Sequence, residues 1–222
     1  MIVLIGGEKG GVGKSTLATN LAAMRVLAGH DVLLVDTDKQ GSASSWAAIR
    51  AETDRPRVTC MSKFGKGLQH DLLDMAKRYG DLIVDAGGRD SVELRSAMVV
   101  ADVVYVPIRP SQPDIWSLET MDALVAQAAA INEGLKGVVI INGASPNPVV
   151  QEAAETRELL TQFENLRLGD NVVRDRIVFR KAFRDGLAVP EFMPLDAKGT
   201  EEISSFYTEV FGDVQAASQA TG

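Results

Sequence analysis

The sequence predicts an α/β protein built on a mostly parallel sheet with helices on both faces. Three observations carry that expectation. Short, continuous apolar runs alternate with helical stretches along the chain, as strands buried on both sides require. Residues 2–29 read as a strand, a glycine-rich loop and a helix, and the next apolar run follows almost at once, which makes a parallel crossover unit. Several apolar runs also end on polar groups, namely Asp36 and Asp38, Asp85 to Gly88, and Asn142. In parallel sheets, functional residues gather at those carboxyl ends.

The elements follow in order. Residues 2–5 form the first strand, and after the loop Leu17, Leu21, Met24 and Ala28 recur at helical spacing, with Gly29 placed to end the helix. Residues 32–35 are a buried strand leading into Asp36-Thr37-Asp38. A weak strand at 58–61 precedes a helix at 68–79 and a strand at 82–84 that stops on Asp85-Ala86-Gly87-Gly88. A short helix at 91–100 and a strand at 103–108 come next, the latter halted by Arg109-Pro110. Asp114 can cap a long helix reaching residue 132, residues 137–141 form another strand ending at Asn142, and helices are expected at 149–164 and 196–211. The sequence has no internal repeat and no low-complexity linker, so one domain over 1–222 is expected, with 214–222 as a frayed polar tail.

Composition limits what such a protein does. With 222 residues, 45% of them apolar, the chain can bury a sizeable core. A formal net charge of -7 excludes a wholly basic surface, so any nucleic-acid contact needs a local patch. Cys60 is the only cysteine, and His30 and His70 the only histidines, which leaves carboxylates as the practical metal ligands. Neither a signal-peptide pattern nor a run of about 20 apolar residues is present, and the expected location is cytoplasmic.

The chemistry centres on Lys9-Gly10-Gly11-Val12-Gly13-Lys14-Ser15. A plain glycine turn is the bland reading, but the lysines and the serine give it a purpose. The glycines let backbone N–H groups approach a phosphate, Lys14 supplies a mobile positive charge, and the Ser15 hydroxyl can ligate Mg²⁺. The common phosphate loop starts with a glycine separated by four residues from Gly-Lys; here that position is Glu8, with Gly7 one place early. The early lysine is diagnostic: Lys-Gly-Gly-x-Gly-Lys-Ser/Thr resembles the deviant Walker A motif of the ParA and MinD ATPases. Over residues 1–211 the chain is similar to the small plasmid partition ParA proteins, including ParF, which have a P-loop NTPase fold.

That resemblance implies ATP and Mg²⁺ as cofactors, a nucleotide site from Lys9 through Ser15 and Thr16, and catalytic roles for Lys9, Lys14 and Asp38. It implies an ATP-dependent homodimer in which Lys9 reaches the nucleotide held by the partner subunit. Asp36-Thr37-Asp38-Lys39-Gln40 looks like the family's Asp-x-Asp-x-Gln segment, with Lys39 where proline is usual. By that likeness Asp36 joins Ser15 and Asp85 around the metal, and Asp38 either accepts a proton from the attacking water or aims it. Asp85 corresponds to the Walker B acid, with Gly87 and Gly88 completing a switch segment. Asn142 falls where related GTPases read the base, but the continuation Gly143-Ala144-Ser145 lacks their Lys-x-Asp, so adenine is favoured. Pro190 resembles the family loop that borders adenine.

Arg174, Arg176, Arg180, Lys181 and Arg184 face only Asp175 within their span. They make either a solvated face or, by resemblance, a nonspecific DNA contact. The expected function is a ParA-type partition ATPase whose ATP dimer binds nucleoid DNA. A ParB-like or other centromere-binding adaptor would stimulate hydrolysis and release. Positioning of a protein cargo is the alternative within the same family. A MinD-like membrane switch would need a basic amphipathic C-terminal helix, and residues 206–213 carry acids and no base, so no membrane partner is expected. A small-substrate enzyme on the same scaffold would have little use for Lys9 at a subunit interface, and an iron–sulfur ATPase would need more cysteines.

Overall fold

The computed structural model describes residues 1–88, 90–110, 115–147 and 152–212. The cap expected at Asp114, the start of the helix at 149 and the tail at 214–222 lie outside these residues. The strands are β1 (Ile2–Ile5), β2 (Val32–Asp36), β3 (Thr59–Ser62), β4 (Asp81–Asp85), β5 (Val103–Ile108), β6 (Lys136–Ala144) and β7 (Leu166–Arg174). The helices are α1 (Lys14–Leu27), α2 (Ser42–Arg50), α3 (Leu68–Ala76), α4 (Val92–Met98), α5 (Ile115–Ala129), α6 (Glu152–Leu160), α7 (Ile177–Arg184) and α8 (Ala197–Phe211). A short 3-10 turn, Val189–Glu191, precedes α8.

The strands form one sheet in the order β3-β2-β4-β1-β5-β6-β7, and every pairing is parallel. Strand β1 sits between β4 and β5, where the chain changes direction across the sheet, and this is where ligand sites form. Alternate side chains of β1 enter opposite cores, as the two-residue period of a strand demands. Val3 and Ile5 pack with Leu17 and Leu21 of α1, Trp46 of α2, Phe179 of α7 and Phe206 of α8. Ile2 and Leu4 pack with Leu72 of α3, Leu94 of α4, Leu118 of α5 and Leu160 of α6. Helices therefore cover both faces, as the apolar runs predict.

Three elements depart from the sequence reading. Helix α2, strand β7 and helix α7 stand where no regular element is expected. Strand β6 also runs two residues past Asn142, which lies inside the strand at a register shift against β7. The last helix begins at Ala197, with the Asp196 side chain accepting the Gly199 N–H at 2.8 Å as its cap.

Candidate nucleotide site

Gly13 ends the loop between β1 and α1 with φ of 88°, a left-handed conformation that costs a residue with a Cβ roughly 1–2 kcal/mol. A Cβ there would also collide with Nδ2 of Asn142. Helix α1 then starts without a side-chain cap or an acid in its first turn. Its first N–H groups are open to an anion, and the helix dipole favours one. Lys14 is buried and donates from Nζ to the Lys9 carbonyl at 2.6 Å. Burial lowers its pKa, against the opposing pull of Asp85 and Asp38.

The acids converge on this loop through strand register. Asp85 of β4 pairs in register with Ile5 of β1 and with Asp36 of β2, so the two acids are neighbours at the carboxyl edge. Their environments differ. Asp36 is fully buried and saturated: Oδ1 accepts the Asp38 N–H at 3.0 Å, while Oδ2 accepts the Ser44 N–H at 2.8 Å and the Ser44 hydroxyl at 2.7 Å. It thereby caps α2 from outside the helix. Asp85 is 1% exposed, and among the described residues neither carboxylate oxygen has a hydrogen-bond partner of good geometry, although the Ser15 hydroxyl lies near enough to favour its ionised form. Burial pushes its pKa up to about 7; Asp36 adds to the rise, while Ser15 and Lys14 act against it.

An orphaned buried carboxylate beside the Ser15 hydroxyl fits a divalent cation. Among the described residues no three His, Cys, Asp or Glu side chains converge as a metal cage. A carboxylate and a hydroxyl oxygen are hard donors of the kind Mg²⁺ takes.

Asp38 is half-buried and accepts the Gln40 N–H at 3.0 Å. It lies against Gly87, where a Cβ would come within 3.3 Å of its Cγ. Gly88 in turn approaches the phosphate loop so closely that a Cβ would stand 3.1 Å from the Gly10 N–H nitrogen. The structure therefore brings Gly10 to Thr16, Asp36, Asp38, Asp85, Gly87 and Gly88 to one edge. Lys9 lines a cavity of about 380 Å³ beside that edge, together with Gly11, Val106 and Arg109.

Asn142 and Pro190 stand elsewhere around the loop. The Asn142 amide donates to the Val12 carbonyl at 2.6 Å, so it braces the phosphate loop directly. Pro190 is half-buried in the turn before α8. The basic segment is less free than its sequence suggests, because β7 and α8 bring Glu202 to it. Arg174 and Arg176 both pair with Glu202, at 3.0 and 2.7 Å, Arg180 with Asp175 at 2.9 Å and Arg184 with Asp185 at 2.7 Å. Exposed Lys181 shares the outer face of α7 with Arg180 and Arg184.

Sequence reasoning missed several contributors. Arg109, read only as a strand stop, donates to the Gly11 carbonyl at 3.3 Å. Ser44 holds Asp36, while Asn20, Trp46, Arg50 and Glu191 hold the turn that carries Pro190. Only the helical spacing of Ala43, Trp46 and Arg50 signals that this arginine faces inward.

Strand, phosphate-type loop, uncapped helix and register-paired acids on a parallel sheet define a P-loop nucleotide-binding protein. Residues 3–189 match the CobQ/CobB/MinD/ParA nucleotide binding domain, and the chain belongs to that family. The resemblance to ParA and MinD proteins expected from Lys9 and Lys14 is thus borne out. The chain is 28% identical over 207 residues to the maintenance of carboxysome distribution protein A of Halothiobacillus neapolitanus, covering 91% of this chain and 92% of that one. It is 27% identical over 172 residues to the chromosome partitioning protein ParA of Myxococcus xanthus, covering 60% of each. Among solved structures, the septum site-determining protein MinD of Pyrococcus horikoshii, complexed with Mg-ADP, superimposes with a TM-score of 0.70 at 17% identity. That match covers 95% of each chain and concerns the fold. The described residues contain no helix long and apolar enough to cross a membrane.

Proposed function

We propose that this protein is a Mg-dependent ATPase of the ParA type that works as an ATP-gated positioning switch, with residues 1–222 acting as one domain. The carrying observation is the orphaned Asp85 carboxylate beside the uncapped start of α1, with Asp38 packed on Gly87. In this reading the N–H groups of Gly10 to Thr16 bind the phosphates and Lys14 leaves the Lys9 carbonyl to neutralise them. Ser15 and Asp85, with Asp36 behind them, would hold Mg²⁺, which when bound would spread the phosphate charge. Asp38 aims the attacking water or takes its proton, the water oxygen bonds to the γ-phosphorus, and the bond to the β–γ bridging oxygen breaks. Gly87 and Gly88 sense the γ-phosphate because they touch both Asp38 and the loop. Lys9 acts across a homodimer, Asn142 braces the loop, and the Pro190 turn borders adenine.

In the dimer, Arg174, Arg176, Arg180, Lys181 and Arg184 give a nonspecific contact with nucleoid DNA. Exposed Lys181, Arg180 and Arg184 on the outer face of α7 weigh most there, because Glu202 draws Arg174 and Arg176 inward, whereas the pairs of Arg180 with Asp175 and Arg184 with Asp185 lie at the surface. An adaptor protein stimulates hydrolysis and release. The cargo is plasmid or chromosomal DNA read through a ParB-like adaptor, or a protein assembly. The protein-cargo reading is favoured by the relation to a carboxysome distribution protein along nearly the whole of both chains.

Anisotropy of random-sequence duplex DNA, with light scattering for mass, tests the switch in no nucleotide, ADP and ATP. Binding and dimerisation only with ATP are expected, abolished by Lys14→Ala and weakened by salt and by Arg180→Ala. An ATP-dependent dimer indifferent to DNA would overturn the DNA contact while leaving the ATPase site intact.

A further inference from the structure

Three side chains hold carbonyls of the phosphate loop, and they come from three elements. Lys14 of α1 donates to the Lys9 carbonyl at 2.6 Å, Arg109 just past β5 to the Gly11 carbonyl at 3.3 Å, and Asn142 of β6 to the Val12 carbonyl at 2.6 Å. The last two act side by side. Strands β5 and β6 run in register with Ile108 against Ile141, and a Cβ on Gly143 would stand 3.7 Å from Arg109 Nε. Two consecutive loop carbonyls are thus drawn toward one side, the ends of β5 and β6.

Peptide planarity carries that hold across to the other side of the loop. In a trans peptide the C=O and the following N–H point in opposite directions. Whatever holds the Gly11 carbonyl therefore aims the Val12 N–H, and whatever holds the Val12 carbonyl aims the Gly13 N–H. Both N–H groups turn away from β5 and β6 together, and successive N–H groups turned one way make a concave seat for an anion. Gly11 and Gly13, at φ of 72° and 88°, supply the left-handed conformations on either side of Val12. Packing does little to fix the Gly11 peptide, because a Cβ built on Gly10 or Gly11 meets nothing within 4 Å. Its orientation depends on the bond to its carbonyl.

We propose that Arg109 is a positioning residue for phosphate binding, which presets the Val12 N–H by holding the Gly11 carbonyl. This rests on the reading that the loop binds the phosphates of a nucleotide. In that reading Lys14 leaves the Lys9 carbonyl as the phosphates arrive, so the holds by Arg109 and Asn142 are the ones that last through binding. Arg109 acts through the loop backbone, from a cavity wall it shares with Val106 and Lys9.

The test titrates the full chain with inorganic tripolyphosphate by calorimetry, at low salt and again at about 0.5 M salt, where attraction between exposed charges is largely screened. Arg109→Met keeps the side-chain stem and removes the donor. It should bind about fivefold more weakly than wild type at both salt concentrations, the worth of one hydrogen bond. Arg109→Lys, which still offers a donor to the Gly11 carbonyl, should recover most of that loss. In nitrogen–proton spectra, saturating tripolyphosphate should move the Val12 amide resonance of wild type, and move it less in Arg109→Met. A wild type that binds tripolyphosphate beside an Arg109→Met variant that binds equally well, or is weaker only at low salt, overturns the inference and leaves the phosphate site standing. A wild type that does not bind tripolyphosphate overturns the phosphate site and the inference with it.

Discussion

Two regions of the molecule handle buried polarity in opposite ways. Where β4 ends and α1 begins the chain leaves groups open: among the described residues both Asp85 oxygens lack partners, and the first turn of α1 has no side-chain cap. Around the 186–192 turn it closes them, with Arg50, Glu191, Asn20 and Trp46 answering the backbone. An unanswered buried group costs about 1–3 kcal/mol, so a fold tolerates it where a ligand supplies the missing partner. A well-satisfied network has the converse meaning: it fixes a shape. On the proposed function, the contrast separates the part of the site that changes partner during a cycle from the part that frames it.

The largest break in that contrast is on the closed side. Arg50→Ala leaves Glu191 buried without its cation, and denaturant unfolding should show a loss of about 3–5 kcal/mol. On the open side the sign reverses. The folded state holds the Asp85 proton more tightly than the unfolded chain, with a pKa of about 7 against an ordinary 3.8. Without metal or nucleotide, stability should therefore fall as pH rises from about 4 to about 7, by roughly 4 kcal/mol. Asp85→Asn should flatten that slope and stabilise the chain at pH 8 while abolishing hydrolysis; a slope unchanged in the variant would place its source elsewhere. Ser44→Ala is the smallest test. It removes one of three bonds to Asp36 and should cost about 1 kcal/mol in the same unfolding assay.

The open side was legible in the sequence and the closed side was not, for a physical reason. Phosphate binding needs glycine, lysine and serine within a few residues, so Lys9 to Ser15 announces itself, and β1, β2, β4 and β5 follow from unbroken apolar runs. The closed network joins Arg50 to Glu191 across 141 positions, and nothing local links them. Helix α2 escaped notice because small and polar residues surround its inward positions, one of which is an arginine. Strand β7, at the sheet's edge, buries only Leu166, Gly169 and Val173, without the two-residue period of a strand, and carries register shifts, and α7 reads as a charge run until Val178, Phe179 and Ala182 are seen to face the core. The basic segment's charge tally failed in the same way, since Glu202 arrives from α8.

The seating of Trp46 gives the molecule an optical consequence. The chain has two tryptophans, Trp46 at 0% exposure beneath the 186–192 turn and Trp116 at 80% exposure on the first turn of α5, next to Ser117 at the cavity beside the phosphate loop. Intrinsic fluorescence therefore carries two separable signals. An aqueous quencher such as iodide reaches Trp116 and not Trp46, so emission surviving quenching reports the turn, while the quenched fraction reports the rim of the phosphate loop. The protein contains its own pair of unlabelled reporters, one for each side of the edge.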